Sequence, residues 1–353
     1  MTKEHPMTKG IPEILGGMVD SLFLLAPRII AACRPPRAAA QSGFESALDH
    51  LFQEGYVAHP ERFFSFPAGV PVHRVVDEAP YEDGAYELIS FKSDYAPRIP
   101  MLREAYLSHA ANGTGYIARW THRKPAPRTV LCLHGYLLGD PAQAHRMFRV
   151  RRLFDMGLDV ALFITPFHWR RAPASVFRRG IFLSPHDPAM TCECVGHAMH
   201  DLAGALAILN ELGSTGTGLI GASLGGYLAA LYACLRDDVD FSAMMVPAVN
   251  LSRPLGTDRA RFTFPVSAGL RERMRQVYEM HSPLRFSPRL SRDRILVIAS
   301  RGDLLCPFEY THLLCERWGW PEHVFLRGGH WLVFNPGLRG RAWYSFLAKT
   351  GYI

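Results

Sequence analysis

Gly221-Ala222-Ser223-Leu224-Gly225 follows the apolar pair Leu219-Ile220 and leads into a run of small residues, Gly226 to Ala233. Strand, sharp turn, serine and helix in that order would hold the Ser223 hydroxyl at a helix N-terminus, where the backbone dipole favours developing negative charge. The glycines let the chain bend tightly and let strand and helix approach each other. A serine hydroxyl is inert near neutral pH without a base, and the base needs a carboxylate to orient it. Asp303 follows the apolar run Ile295 to Ala299, and His330 follows His323 to Leu326 in Gly328-Gly329-His330-Trp331. Ser, Asp and His in that order, each beyond the C-terminal end of a strand, can assemble at one sheet edge as nucleophile, orienting acid and base.

Such chemistry also needs donors for the charge that builds up on the attacked oxygen. Leu131-Cys132-Leu133-His134-Gly135-Tyr136 ends a buried run with a turn. The amides of Tyr136 and of Leu224, the residue after the nucleophile, are the expected oxyanion donors, each contributing about 3–4 kcal/mol. His134 reads as a structural residue bonded to loop backbone. The loop Pro166-Phe167-His168-Trp169-Arg170-Arg171 should reach the same rim. Arg170 or Arg171 is expected to contact an anionic group of the substrate, with pairing to Asp187 or Asp201 as the competing use.

The elements that must position these residues alternate. Strand patterns occur at 86–91, 116–120, 129–133, 158–164, 217–220, 241–246, 295–299 and 323–326, and helical patterns at 142–156, 197–212, 224–235, 308–318 and 339–349. That alternation predicts an α/β fold with a mostly parallel central sheet covered by helices on both faces, and an antiparallel pair at one edge. Residues 1–84 are expected to form a helical and irregular extension, with a helix at 42–53 and extended chain at 60–80. Residues 85–353 form the main domain. The stretch from about 251 to 292 breaks the rhythm and reads as an insertion.

His134-Gly135, the elbow Gly221 to Gly225 with Gly226 behind it, Asp303 and His330 resemble the α/β-hydrolase superfamily of serine hydrolases over roughly residues 85–353. More loosely, His134-Gly135-Tyr136 with Gly139-Asp140, the Pro166-Phe167-His168 and Arg171 loop, and Ser223 to Gly226 resemble the abhydrolase domain-containing protein eighteen family. The resemblance implies an α/β-hydrolase fold, with the 251–292 insertion as a lid over the site, lined by Leu255, Phe262, Phe264, Val266, Leu270, Met274 and Val277. A serine nucleophile argues against the aspartate chemistry of haloalkane dehalogenases and the usual cysteine of dienelactone hydrolases.

The expected activity is hydrolysis of a carboxylic ester, possible substrates including an amphiphilic or lipid ester, with no cofactor and no metal implied. Thioesterase, amidase or acyltransferase chemistry would use the same residues, and a non-catalytic scaffold is the reading from another class. The chain of 353 residues carries a formal charge of +7, and only five of its 39 basic residues are lysine. Residues 146–180 and 253–294 each carry +6, leaving −5 elsewhere. A cationic, apolar lid suits an acyl substrate or an anionic surface, whereas no nucleic-acid motif accompanies the charge. Seven scattered cysteines are not a disulfide framework, and Cys192 and Cys194 lack metal-knuckle spacing. The expected compartment is cytoplasmic. The apolar stretch Ile11 to Cys33 is interrupted by Glu13, Asp20, Pro27 and Arg28, too often for a membrane span. It is expected to be an amphipathic helix packed on the main domain, with peripheral membrane contact as the other use.

Overall fold

The computed structural model describes residues 10–33, 41–174, 182–183, 187–252 and 266–353. Its centre is a nine-stranded sheet in the order β1-β2-β3-β5-β4-β6-β7-β8-β9. The strands are β1 (His73–Tyr81), β2 (Gly84–Lys92), β3 (Thr114–His122), β4 (Arg128–Leu133), β5 (Asp159–Ile164), β6 (Gly216–Ala222), β7 (Ser242–Met245), β8 (Ile295–Ser300) and β9 (Glu322–Leu326). From β5 to β9 in that order all neighbours are parallel, and β1, β2 and β3 add antiparallel pairings at one edge. Val130 and Cys132 of β4 pack into one apolar cluster and Leu131 and Leu133 into another. This two-residue period on a strand buried on both sides requires helices above and below.

The helices are α1 (Ile11–Cys33), α2 (Gln41–Gln53), α3 (Arg103–Leu107), α4 (Pro141–Met147), α5 (Val150–Phe154), α6 (Pro188–Glu211), α7 (Leu224–Leu235), α8 (Ala268–Met280), α9 (Phe308–Arg317) and α10 (Pro336–Lys349). Residues of α2, α6, α7, α8 and α9 fill the cluster on one face, and residues of α4, α5 and α10 the other. Among the described residues, no helix is long and apolar enough to cross a membrane.

Four local differences from the expectations have physical causes. The sheet begins at His73, upstream of residue 85, because β1 forms a hairpin with β2. The helix expected over 142–156 is two short helices, since Arg149 adopts a left-handed φ of 53° between them. The helix expected over 197–212 begins earlier, at Pro188, where Asp187 caps it by accepting from the Met190 amide. Leu270, Met274 and Val277, expected to line a lid, are buried on α8 in the same cluster as α6 and α2. That part of the insertion therefore belongs to the helical layer; Leu255, Phe262 and Phe264 lie outside the described residues, and Val266 is only partly buried.

Candidate active site

Ser223 occupies the tip between β6 and α7 with φ 56° and ψ −114°, a conformation that costs a non-glycine residue on the order of 1–3 kcal/mol. It is fixed from three sides: its amide donates to Met245 O at 2.9 Å, and its carbonyl accepts from Tyr227 and Ala248 at 3.0 and 3.1 Å. The bend tolerates no side chain at Gly225, where a Cβ would lie 1.9 Å from Leu133 O. Close seating of α7 on the end of β4 also brings the Gly135 loop alongside, with a Cβ at Gly135 lying 3.6 Å from Ser223 Cβ. Leu224, the first residue of α7, has an amide with no carbonyl one turn back to receive it.

Asp303 and His330, 27 residues apart, lie side by side. His330 Nδ1 lies 2.7 Å from Asp303 Oδ2, and both side chains are almost fully buried. The other carboxylate oxygen accepts from the Leu305 and Cys306 amides at 2.9 and 2.7 Å. The acid and base loops are also tied to each other: the Ser300 hydroxyl and the Gly302 amide both donate to Gly328 O, at 2.8 and 2.7 Å.

Cys306, in the sequence one of seven scattered thiols with no role in the site, belongs to it. Its sulfur sits 3.7 Å from Ser223 Oγ and within 4.8 Å of the ligating atoms of Asp303 and His330. Burial opposes charge on that imidazole, but the Cys306 sulfur and the Asp303 carboxylate outweigh it and hold His330 well above its ordinary range. Burial also raises the Asp303 carboxyl, against the pull of His330 and the Cys306 amide. Asp303, Cys306 and His330 carry metal-ligating atoms within 4.8 Å of one another. A cation shared by all three would compete with the Asp303–His330 hydrogen bond, so the donor set as it stands is better suited to moving a proton.

His134 is fully buried, with Nδ1 2.9 Å from Gly135 O and Nε2 accepting from the Thr165 amide at 3.1 Å. That assigns the proton to Nδ1, and burial pushes the imidazole down to about 4. It thus braces the turn before Tyr136.

Arg171 requires a correction as a substrate-binding residue. It is fully buried, and its guanidinium bonds Asp201 Oδ2 at 2.6 Å, Asn112 O at 2.9 Å and Ile164 O at 3.1 Å. The competing use, pairing with Asp201, is the one the fold adopts. Arg170 stays exposed, stacked over Trp169 at 4.8 Å. The positive blocks are likewise partly neutralised away from Ser223: Arg151 pairs with Glu82 and Asp155, Arg273 with Asp49, and Arg275 with Glu272 and Glu279.

A second Ser/His/Asp grouping shows what geometry the chemistry requires. Ser93, His197 and Asp201 lie together, but Ser93 Oγ and Asp201 Oδ2 both address His197 Nε2, at 2.9 and 3.1 Å. The other ring nitrogen bonds Tyr106. Acid and hydroxyl on one nitrogen cannot pass a proton along the ring, so this grouping serves as a polar core beneath α6.

No family model matches the chain. Two uncharacterized proteins of Mycobacterium tuberculosis are 27% and 28% identical over 322 residues, which span 87% of this chain and 75% of each of theirs. Among solved structures, an acetyl xylan esterase from Paenibacillus sp. superposes with TM-score 0.58 at 13% identity, covering 90% of this chain and 98% of that one. Acetyl xylan esterase 1 from Thermoanaerobacterium sp. gives 0.59 at 14% identity, covering 85% and 93%. At such identities the likeness concerns the fold, and the fold is that of the α/β-hydrolases. None of these relatives supports the closer resemblance to the abhydrolase domain-containing protein eighteen family.

Proposed function

We propose that the protein is a serine hydrolase that cleaves carboxylic esters through an acyl-enzyme. The observation that carries this reading is Ser223 held in a strained elbow beside a buried Asp303–His330 pair. In this mechanism the His330 imidazole turns to Ser223 Oγ, takes its proton as the oxygen attacks the acyl carbon, and returns it to the departing alcohol. Asp303 keeps Nδ1 protonated and stabilises the imidazolium. The Tyr136 and Leu224 amides receive the oxyanion, and water, deprotonated by the same imidazole, releases the acid. Thioester hydrolysis or acyl transfer would follow the same steps with a different leaving group or acceptor. Two of the structures that share the fold are described as acetyl xylan esterases, which supports an ester substrate.

An amphiphilic or membrane-borne ester is the finer proposal. Ile14, Met18 and Leu22 of α1 and Trp331 beside His330 are 51%, 60%, 70% and 49% exposed. In this proposal these side chains offer apolar surface to acyl chains or to peripheral contact with a lipid surface. A cytoplasmic setting agrees with Cys132, Cys192, Cys194, Cys234, Cys306 and Cys315 all being free and buried. The test is a series of p-nitrophenyl esters of increasing acyl length. Turnover that Ser223→Ala lowers by at least a thousandfold supports the reading, and turnover that survives the substitution defeats it.

A further inference from the structure

The N-terminal helix α1 reaches the two loops that carry Asp303 and His330, and it does so through a buried carboxylate. Asp20 is fully buried. Its oxygens accept from the His330 amide at 2.9 Å, the Trp331 amide at 3.2 Å and the Leu304 amide at 3.1 Å. One side chain thus holds the backbone of the base itself and the residue directly after the acid. The helix lies too close for this contact to be incidental. A Cβ at Gly16 would lie 2.0 Å from Gly329 N, and a Cβ at Gly302 would lie 2.6 Å from Glu13 O. Arg327 Nε closes the edge on Glu13 at 3.1 Å.

We infer that Asp20 is a positioning residue of the active site, a clamp on α1 that sets the His330 backbone, and with it the imidazole, relative to Asp303 and Ser223. The inference rests on the serine-hydrolase reading for its catalytic consequence. Three amides converge on the carboxylate, and an ionised carboxylate offers acceptor sites on both oxygens. An asparagine of the same shape offers one oxygen and turns its NH2 toward a donor. Losing one tie frees the His330 loop to shift, and a misplacement of about 1 Å costs roughly a hundredfold in rate.

The test compares wild type, Asp20→Asn, Asp20→Glu and Gly16→Val, all as full-length protein, on p-nitrophenyl acetate. Amide hydrogen exchange at Leu304, His330 and Trp331 is followed alongside. Asp20→Asn is expected to lower kcat about a hundredfold with KM within about threefold, to slow fluorophosphonate labelling in parallel, and to speed exchange at the three amides. Asp20→Glu, which keeps the charge, should recover part of kcat. Gly16→Val, which wedges α1 off Gly329, should reproduce the loss, and it decides the matter if Asp20→Asn does not fold. Folded Asp20→Asn with wild-type kcat and wild-type exchange overturns the clamp while leaving the hydrolase reading intact. A loss confined to KM also overturns it. Faster exchange in a wild-type background that neither hydrolyses nor labels overturns the hydrolase reading, and the positioning role with it.

Discussion

Replacing Arg171 by alanine separates its structural role from the substrate contact expected of it. The substitution removes a fully buried guanidinium and leaves Asp201, 1% exposed, with only His197 and Ser93 as side-chain partners among the described residues. Burial alone would raise the Asp201 carboxyl, but His197, Arg171 and Ser93 together hold it well below its ordinary range, so the substitution removes one of the groups that make the buried charge tolerable. Breaking a buried pair from one side costs about 3–5 kcal/mol. With an unfolding entropy of about 2.1 cal/mol/K per residue, the whole chain changes by roughly 0.7 kcal/mol per degree. The expected fall in Tm is therefore about 4–7 °C. Differential scanning calorimetry reads the stability, and kcat/KM on matched neutral and anionic esters, normalised to folded protein, reads the chemistry. The expected outcome is a lower Tm with the two esters affected equally. An unchanged Tm with loss confined to the anionic ester would refute the burial argument.

Two further outcomes follow from the titrating groups. Because His330 acts as a base only when neutral and is held above its usual 6.5, the acid limb of kcat/KM should inflect above pH 6.5, and Cys306→Ala should move it to lower pH while the plateau stays within about tenfold; an unmoved limb would contradict the role given to the thiol. Glu193 is pushed up to about 7 by burial from an ordinary 4.5, so the folded state holds the extra proton between those values and stability should fall by about 3 kcal/mol as pH rises through them. Glu193→Gln should flatten that decline in urea melts.

Much of the site was legible because its parts depend on local context. The elbow needs glycine at 225 for a bend against Leu133, and Asp303 and His330 each follow a strand, so order and placement carried the assignment. Arg171 was ambiguous since adjacent arginines on a tight turn take opposite directions: the turn at Trp169, with φ 46°, sends Arg171 inward and leaves Arg170 outside. Strand β1 was missed because nearly all of its residues are exposed, so hairpin pairing rather than apolar alternation holds it. Cys306 carried no mark as a thiol. Its signal was position, three residues after Asp303, where its amide folds back onto the carboxylate. In the sequence Asp20 is only an interruption of an apolar stretch, yet a charge inside such a helix beside Gly16-Gly17 is what a close, polar docking contact requires.

The central claim is that Ser223, activated by His330 and Asp303, is the nucleophile. Its most direct test is reaction of the folded protein with a fluorophosphonate probe, followed by peptide mapping of the adduct. A single adduct on Ser223, lost in Ser223→Ala and strongly slowed in His330→Ala, is the predicted result; an adduct on Cys306, or no adduct on folded protein, would contradict it.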